Sequence, residues 1–145
     1  MLPQYAPPLY PPEMTQPMEA ELTRVGVHAL KTPESVDAAL KNNGLVMVMV
    51  NSVCGCAAGN ARPAVIESIN RLPLAAHWVT VFAGVDREAT QRVRTLTTSV
   101  SPSSPSFFLF KNALLVFSLP RHQIEGRTPA SVAADLIRAL REQSP

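Results

Sequence analysis

The sequence predicts an α/β fold in which a mixed central sheet carries helices on both faces. Three observations lead there. Apolar runs without clear alternation, Leu45 to Val50 and His77 to Phe82, read as strands covered on both sides. Segments with helical periodicity lie between the strands, the order that gives a parallel sheet. Two further strands joined at Lys111-Asn112 make a hairpin and add an antiparallel edge.

Each element has its own signal. Residues 1–14 form a Pro-rich tail, expected to be extended and flexible, and residues 15–145 a single domain. Tyr5, Leu9 and Tyr10 in the tail can dock on the domain or on a partner, or the tail can be a disordered leader. From Glu13 to Val25, Met14, Met18, Leu22 and Val25 recur at spacings of four and three, and Pro17 predicts a helix that is short or starts there. Thr32-Pro33 supplies an N-cap and a first helical proline; Val36, Ala39 and Leu40 share one face, and Gly44 is placed to end the helix. After the Leu45–Val50 strand and the two cysteines, a helix runs through Val65, Ile66, Ile69 and Leu72. Asp86 is the expected N-cap of the next one, with Ala89, Val93 and Leu96 inside. A Pro/Ser turn from Ser101 to Ser106 leads to the Phe107–Phe110 strand, the hairpin and the Leu114–Leu119 strand. A last helix, capped at Thr128-Pro129, buries Val132, Ala133, Leu136, Ile137 and Leu140.

Composition narrows the function. At 145 residues, 46% hydrophobic and 17% charged, the chain is one ordinary globular domain. A net charge of +2, with no basic run interleaved with aromatics, argues against nucleic acid or an anionic membrane as partner. The N-terminus lacks a basic region followed by an apolar one, and no apolar run approaches the roughly 20 residues of a membrane span. The expected location is the cytoplasm.

The two cysteines, Cys54 and Cys56, are separated only by Gly55. A bridge over one residue closes almost no chain and makes a poor structural staple, so chemistry is the better explanation for the pair. Thiol–disulfide exchange needs an accessible thiolate and a second thiol. A strand end gives access, and the helix start beyond it gives free N–H groups and partial positive charge. Cys54, nearer the strand, is the expected nucleophile and Cys56 the resolving thiol. Gly59 and Pro63 weaken the helix start, which would shift thiolate stabilisation onto Arg62 and local N–H groups. Two extended residues span about 6.6–7.2 Å, but a disulfide needs Cα atoms about 4.4–6.8 Å apart. A Cys54–Cys56 bridge therefore requires a bend, which Gly55 tolerates, and the small ring is expected to be strained and easily reduced. A zinc site would want four ligands, and His28, His77 and His122 show no ligand spacing, so no metal is expected. Two inert core cysteines are at odds with the glycine and the turn around them.

A redox cysteine pair just after a central strand of such a sheet resembles the thioredoxin arrangement. That resemblance implies a cis Pro105, after Ser104, lying against the cysteines. It also places the polar loop Arg121-His122-Gln123-Ile124-Glu125-Gly126-Arg127 at the cysteine end of the sheet. There Arg121 and His122 would bind an anionic group of the thiol partner, and His122 would alternatively protonate a leaving thiolate. The other reading is a solvated loop with Glu125 paired to a neighbouring arginine.

More specifically, Val50-Asn51-Ser52-Val53-Cys54-Gly55-Cys56-Ala57-Ala58-Gly59-Asn60-Ala61-Arg62-Pro63 resembles the active-site segment of the bacilliredoxins. The resemblance continues in Thr80-Val81-Phe82-Ala83-Gly84, in Pro102-Ser103-Ser104-Pro105-Ser106 and in the 121–127 loop. It implies removal of bacillithiol from S-bacillithiolated cytoplasmic proteins. Cys54 would take up the bacillithiol, and Cys56 or free bacillithiol would resolve the adduct. Bacillithiol is then co-substrate and reductant, with no bound cofactor. The resemblance implies substrate contacts from Gly55, Asn60, Arg62, Ser104, Pro105, Arg121 and His122, the last loop facing the malate group of bacillithiol. Several members of the family carry a further cysteine near the C-terminus; this chain ends Gln143-Ser144-Pro145, so no step is assigned to a third thiol. The alternatives are a general protein disulfide reductase or isomerase, and a redox-sensing or metal-binding module without turnover.

Overall fold

In a computed structural model that describes residues 5–144, five strands form one mixed sheet in the order β1-β3-β2-β4-β5. Strands β1 (His28–Ala29), β2 (Leu45–Asn51) and β3 (His77–Phe82) are mutually parallel, with β2 next to β3. Strand β4 (Ser106–Lys111) runs antiparallel to β2, and β5 (Leu114–Leu119) antiparallel to β4. Helices α1 (Pro12–Thr23), α3 (Arg62–Arg71) and α5 (Pro129–Gln143) cover one face; α2 (Pro33–Leu40) and α4 (Arg87–Thr95) cover the other. This is the α/β arrangement expected.

The alternation of β2 explains its unbroken apolar run. Met47 and Met49 point into the core under α1, α3 and α5, while Val46, Val48 and Val50 point into the core under α2 and α4. Each fully buried side chain of this size contributes roughly 1.5–3 kcal/mol, so a polar residue in the run would be costly on either face. By the same period Asn51 falls on the Met47/Met49 face, toward the start of α3.

Several local expectations hold and others are corrected. Thr32 caps α2 by accepting from the Ser35 N–H, with Ser35 Oγ accepting in return from the Thr32 N–H, and Thr128 caps α5 in the same way by accepting from the Ser131 N–H. Helix α1 neither stops nor starts at Pro17 but runs through it from Pro12, where a proline needs no N–H partner; burial of Leu22 and Thr15 holds it. Asp86 precedes α4 but its carboxylate caps nothing, because it is drawn to Lys31 instead. The hairpin turns one residue later than expected, at Asn112 and Ala113, both at positive φ as a type I′ turn requires. Asn112 also receives the Gly44 N–H on its side chain and donates its own N–H to the Gly44 carbonyl, pinning the two turns together.

Residues 5–11 lie against the domain without regular structure and bend at Leu9 and Tyr10, while Met1–Gln4 lie outside the described residues. The Leu9 N–H donates to the Gly84 carbonyl, and the Tyr10 ring occupies the space that a side chain at residue 84 would need. Tyr5 reaches Glu34, and Leu9 leaves its side chain exposed. Among the described residues no helix is long and apolar enough to cross a membrane.

Candidate active site

The β2 strand ends at Asn51, and within three residues the chain turns into helix. The Cys54 carbonyl accepts from the N–H groups of Ala57 and Ala58, so both cysteines sit in the first turn. A π-helical turn, Ala57–Ala61, follows, in which the Arg62 N–H reaches back five residues to the Ala57 carbonyl. Pro63 has no N–H to give the Gly59 carbonyl, and a π turn accommodates that gap. Regular α-helix therefore begins only at Arg62.

Cys54 and Cys56 are both half-buried free thiols. The Ser52 hydroxyl donates to Cys54 Sγ at 3.1 Å, and Ser104 O lies 4.0 Å from the same sulfur. The Ser104–Pro105 peptide is cis. Burial alone would push the Cys54 thiol up, but the Ser52 hydroxyl, the N–H groups of Ala57 and Cys56, and the Arg121 charge together hold it below the ordinary thiol range. Cys56 is pushed up, by burial first and then by the charge on Cys54, with Arg121 opposing and Glu125 adding to the rise. Cys54 is therefore the thiol that ionises first.

The surrounding residues divide into those that reach the thiols and those that do not. Arg121 sits at the rim: its N–H donates to Ser103 Oγ (3.1 Å), its Nη1 donates to Ser104 O (3.4 Å), and its Nε pairs with Glu125. The two readings of this loop thus meet in one residue, which is paired with Glu125 and still acts on Cys54. Gly55 is exposed in open space and has no positive φ; a helical turn, rather than glycine's special freedom, provides the bend expected between the cysteines. Residues two apart on a helix have Cα atoms about 5.4 Å apart, inside the disulfide range.

Asn60 donates from Nδ2 to the Ile124 carbonyl at 3.3 Å, tying the cysteine helix to the Arg121 loop rather than presenting its amide to solvent. His122 is exposed and lines a separate surface groove of about 500 Å³ with Ser101, Ser103, Ser118 and Pro120. Arg62 is the clearest correction. It is only 1% exposed, so the expectation that it faces the thiolate or a substrate gives way to an internal role. Its Nη1 donates to Asn51 Oδ1 (3.1 Å) and to the Ser52 carbonyl (2.9 Å), and its Nε meets Glu21 (3.2 Å). The sequence assigns no role to Asn51 or Ser52, which it shows only as part of the segment around the cysteines, and none to Glu21. The alternation of β2 was the signal available for Asn51, and a hydroxyl two residues before Cys54 was the one for Ser52.

The family described as disulphide isomerase matches residues 10–144. A bacilliredoxin of Cytophaga hutchinsonii is 48% identical over 128 residues, 88% of this chain and 95% of that protein. One from Salinibacter ruber is 48% identical over 90% of this chain and 78% of its own length. One from Bacillus cereus is 51% identical over 80% of this chain and 81% of its own. Among solved structures, a protein with a thioredoxin fold superposes with a TM-score of 0.65 at 18% identity, covering 81% of this chain and 96% of that one. Oxidised thioredoxin from Plasmodium falciparum gives 0.58 at 20% identity, over 82% and 100%. The fold is the thioredoxin fold.

Proposed function

The chain belongs to the bacilliredoxin family of thiol–disulfide oxidoreductases, and from that premise we propose that it strips bacillithiol from S-bacillithiolated proteins of the cytoplasm. The observation that carries the reading is the asymmetry of the two thiols: Cys54 Sγ receives the Ser52 hydroxyl at 3.1 Å beside the cis Ser104–Pro105 peptide and is lowered, while Cys56 next to it is raised. The Cys54 thiolate attacks the bacillithiol sulfur of the mixed disulfide. A Cys54–bacillithiol disulfide forms, the old S–S bond breaks, and the client cysteine leaves as a thiolate that takes up a proton. Arg121 supports recognition of the malate carboxylates, since it stands at the rim with its guanidinium partly exposed.

Two resolutions balance. In one, Cys56 loses its proton, attacks Cys54 Sγ and forms the Cys54–Cys56 disulfide, releasing bacillithiol as a thiol. In the other, a free bacillithiol thiolate attacks the bacillithiol sulfur, leaving as bacillithiol disulfide and restoring Cys54. The general disulfide isomerase is the competing activity. Incubation with an S-bacillithiolated client and, separately, with scrambled ribonuclease distinguishes them, with mass spectrometry of the protein as readout. Transfer of bacillithiol to Cys54 together with release of the client thiol is expected. Rapid repair of scrambled ribonuclease without any adduct on Cys54 would overturn the proposal.

A further inference from the structure

A buried arginine inside a small domain is expensive unless its donors are met. Arg62 meets three partners: Glu21 on α1, the Asn51 side chain at the end of β2, and the Ser52 carbonyl just beyond it. Ser52 is held from its other side too, because its N–H donates to the same Asn51 Oδ1 at 2.9 Å. Main-chain donor and acceptor of Ser52 are thus both fixed on one buried cluster. Only its hydroxyl is left to face Cys54, and there it lies 3.1 Å from Sγ while accepting the Cys54 N–H at 3.4 Å.

We propose that Arg62 is a positioning residue that, with Asn51 and Glu21, clamps the Ser52 backbone so that the Ser52 hydroxyl stays on Cys54 Sγ. Arg62 touches neither thiol nor substrate; it acts through Ser52. The placement of the cluster follows from the sequence. Met47, Met49 and Asn51 share the face under α3, and the π turn sets Arg62 as the first residue of that helix, above Asn51. A lysine would keep the charge but could not serve Asn51, Ser52 and Glu21 from one planar fork. The clamp deepens the proposed thiol exchange by naming what readies its nucleophile, and it rests on that reading only for its purpose.

The test reads thiolate formation directly, through the pH dependence of iodoacetamide alkylation and of absorbance at 240 nm, with no bacillithiol present. A failed debacillithiolation assay therefore leaves this result standing, and the reverse. The other groups bearing on Cys54 are Cys56, Arg121 and, behind Arg121, Glu125. Arg121 and Glu125 are unchanged in every variant, and Cys56 is replaced by serine throughout so that one thiol titrates. Loss of a hydrogen bond to a charged group moves an ionisation by about one unit, so Ser52→Ala should lower the alkylation rate at pH values below the midpoint roughly tenfold. Arg62→Lys should move the midpoint upward in the same way, and the Ser52→Ala/Arg62→Lys double variant no further than Ser52→Ala alone. Fully additive shifts, or an unmoved midpoint in Arg62→Lys, would overturn the clamp. If Arg62→Lys fails to fold, Glu21→Gln decides, since it loosens Arg62 from the half-exposed end; a smaller upward shift supports the clamp and an unmoved midpoint rejects it.

Discussion

Arg62 and Arg121 both reach the segment around Cys54, one from inside the protein and the other from its surface. Arg62 is buried, bonded to three groups, and has no line to the sulfur except through Ser52. Arg121 is partly exposed, shares its charge with Glu125, and acts on the sulfur through its field. The contrast separates two ways of preparing a thiolate. A buried group fixes geometry, which salt does not screen and which a same-charge substitute does not restore. A surface group supplies potential, which salt weakens and which is free to turn toward an incoming anion.

Because both arms converge on Cys54, the largest effect comes from removing the sulfur they act on. Cys54→Ser should abolish capture of bacillithiol from a bacillithiolated client, read as loss of the mass adduct. Cys56→Ser should keep capture but leave the adduct in place until free bacillithiol is added, because the internal resolving thiol is gone. Loss of all capture in Cys56→Ser, with capture kept in Cys54→Ser, would reverse the order of the thiols and detach both arginines from the chemistry.

The same contrast explains what was legible in the sequence. Period and punctuation carry information along the chain, so β2, β3, the caps at Thr32 and Thr128 and the final helix could be read from it. Strand β1 could not, because two residues, His28 and Ala29, show no periodicity; pairing with Val79 and Thr80 alone makes them a strand. Pro17 misled for a related reason, since the cost of a proline in a helix is local and the burial that offsets it is tertiary. At the site, the cysteines, the cis proline and the Arg121 loop were within reach, because spacing and resemblance mark them. Arg62 was placed near the thiols correctly but aimed the wrong way. A charge in a sequence has no direction until the register of β2 and the π turn before α3 fix which face it meets. Ser52 carries no legible role in the sequence because its contribution is one hydroxyl in a loop without periodicity.

Arg121→Gln sharpens the comparison from the surface side. Removing the positive charge lets the Cys54 thiol rise toward its ordinary range, so less thiolate exists at any pH below the midpoint. Alkylation at neutral pH should fall by roughly twofold at low salt, the scale of an exposed charge interaction. In about 1 M salt, where the screening length is about 3 Å, the difference from the unmodified protein should vanish. The deficit of Arg62→Lys should persist there. Equal salt sensitivity of the two variants would show that both arginines act through their fields.

Glu125→Gln is expected to give the smallest change, and in the opposite direction. Glu125 pairs with Arg121 and its charge adds to the rise of the Cys56 thiol. Removing that charge leaves Arg121 uncompensated beside both sulfurs, which favours the thiolate at each. Alkylation of Cys54 should therefore rise slightly at neutral pH and low salt, by less than Arg121→Gln lowers it, because the glutamate acts on Cys54 only from behind Arg121. With a bacillithiolated client, the freed guanidinium should also lower KM more than it changes kcat, since its charge is then available to the malate carboxylates. A fall in alkylation instead would mean that Glu125 serves mainly to hold the Arg121 side chain against Ser104, placing Arg121 among the residues that act by geometry.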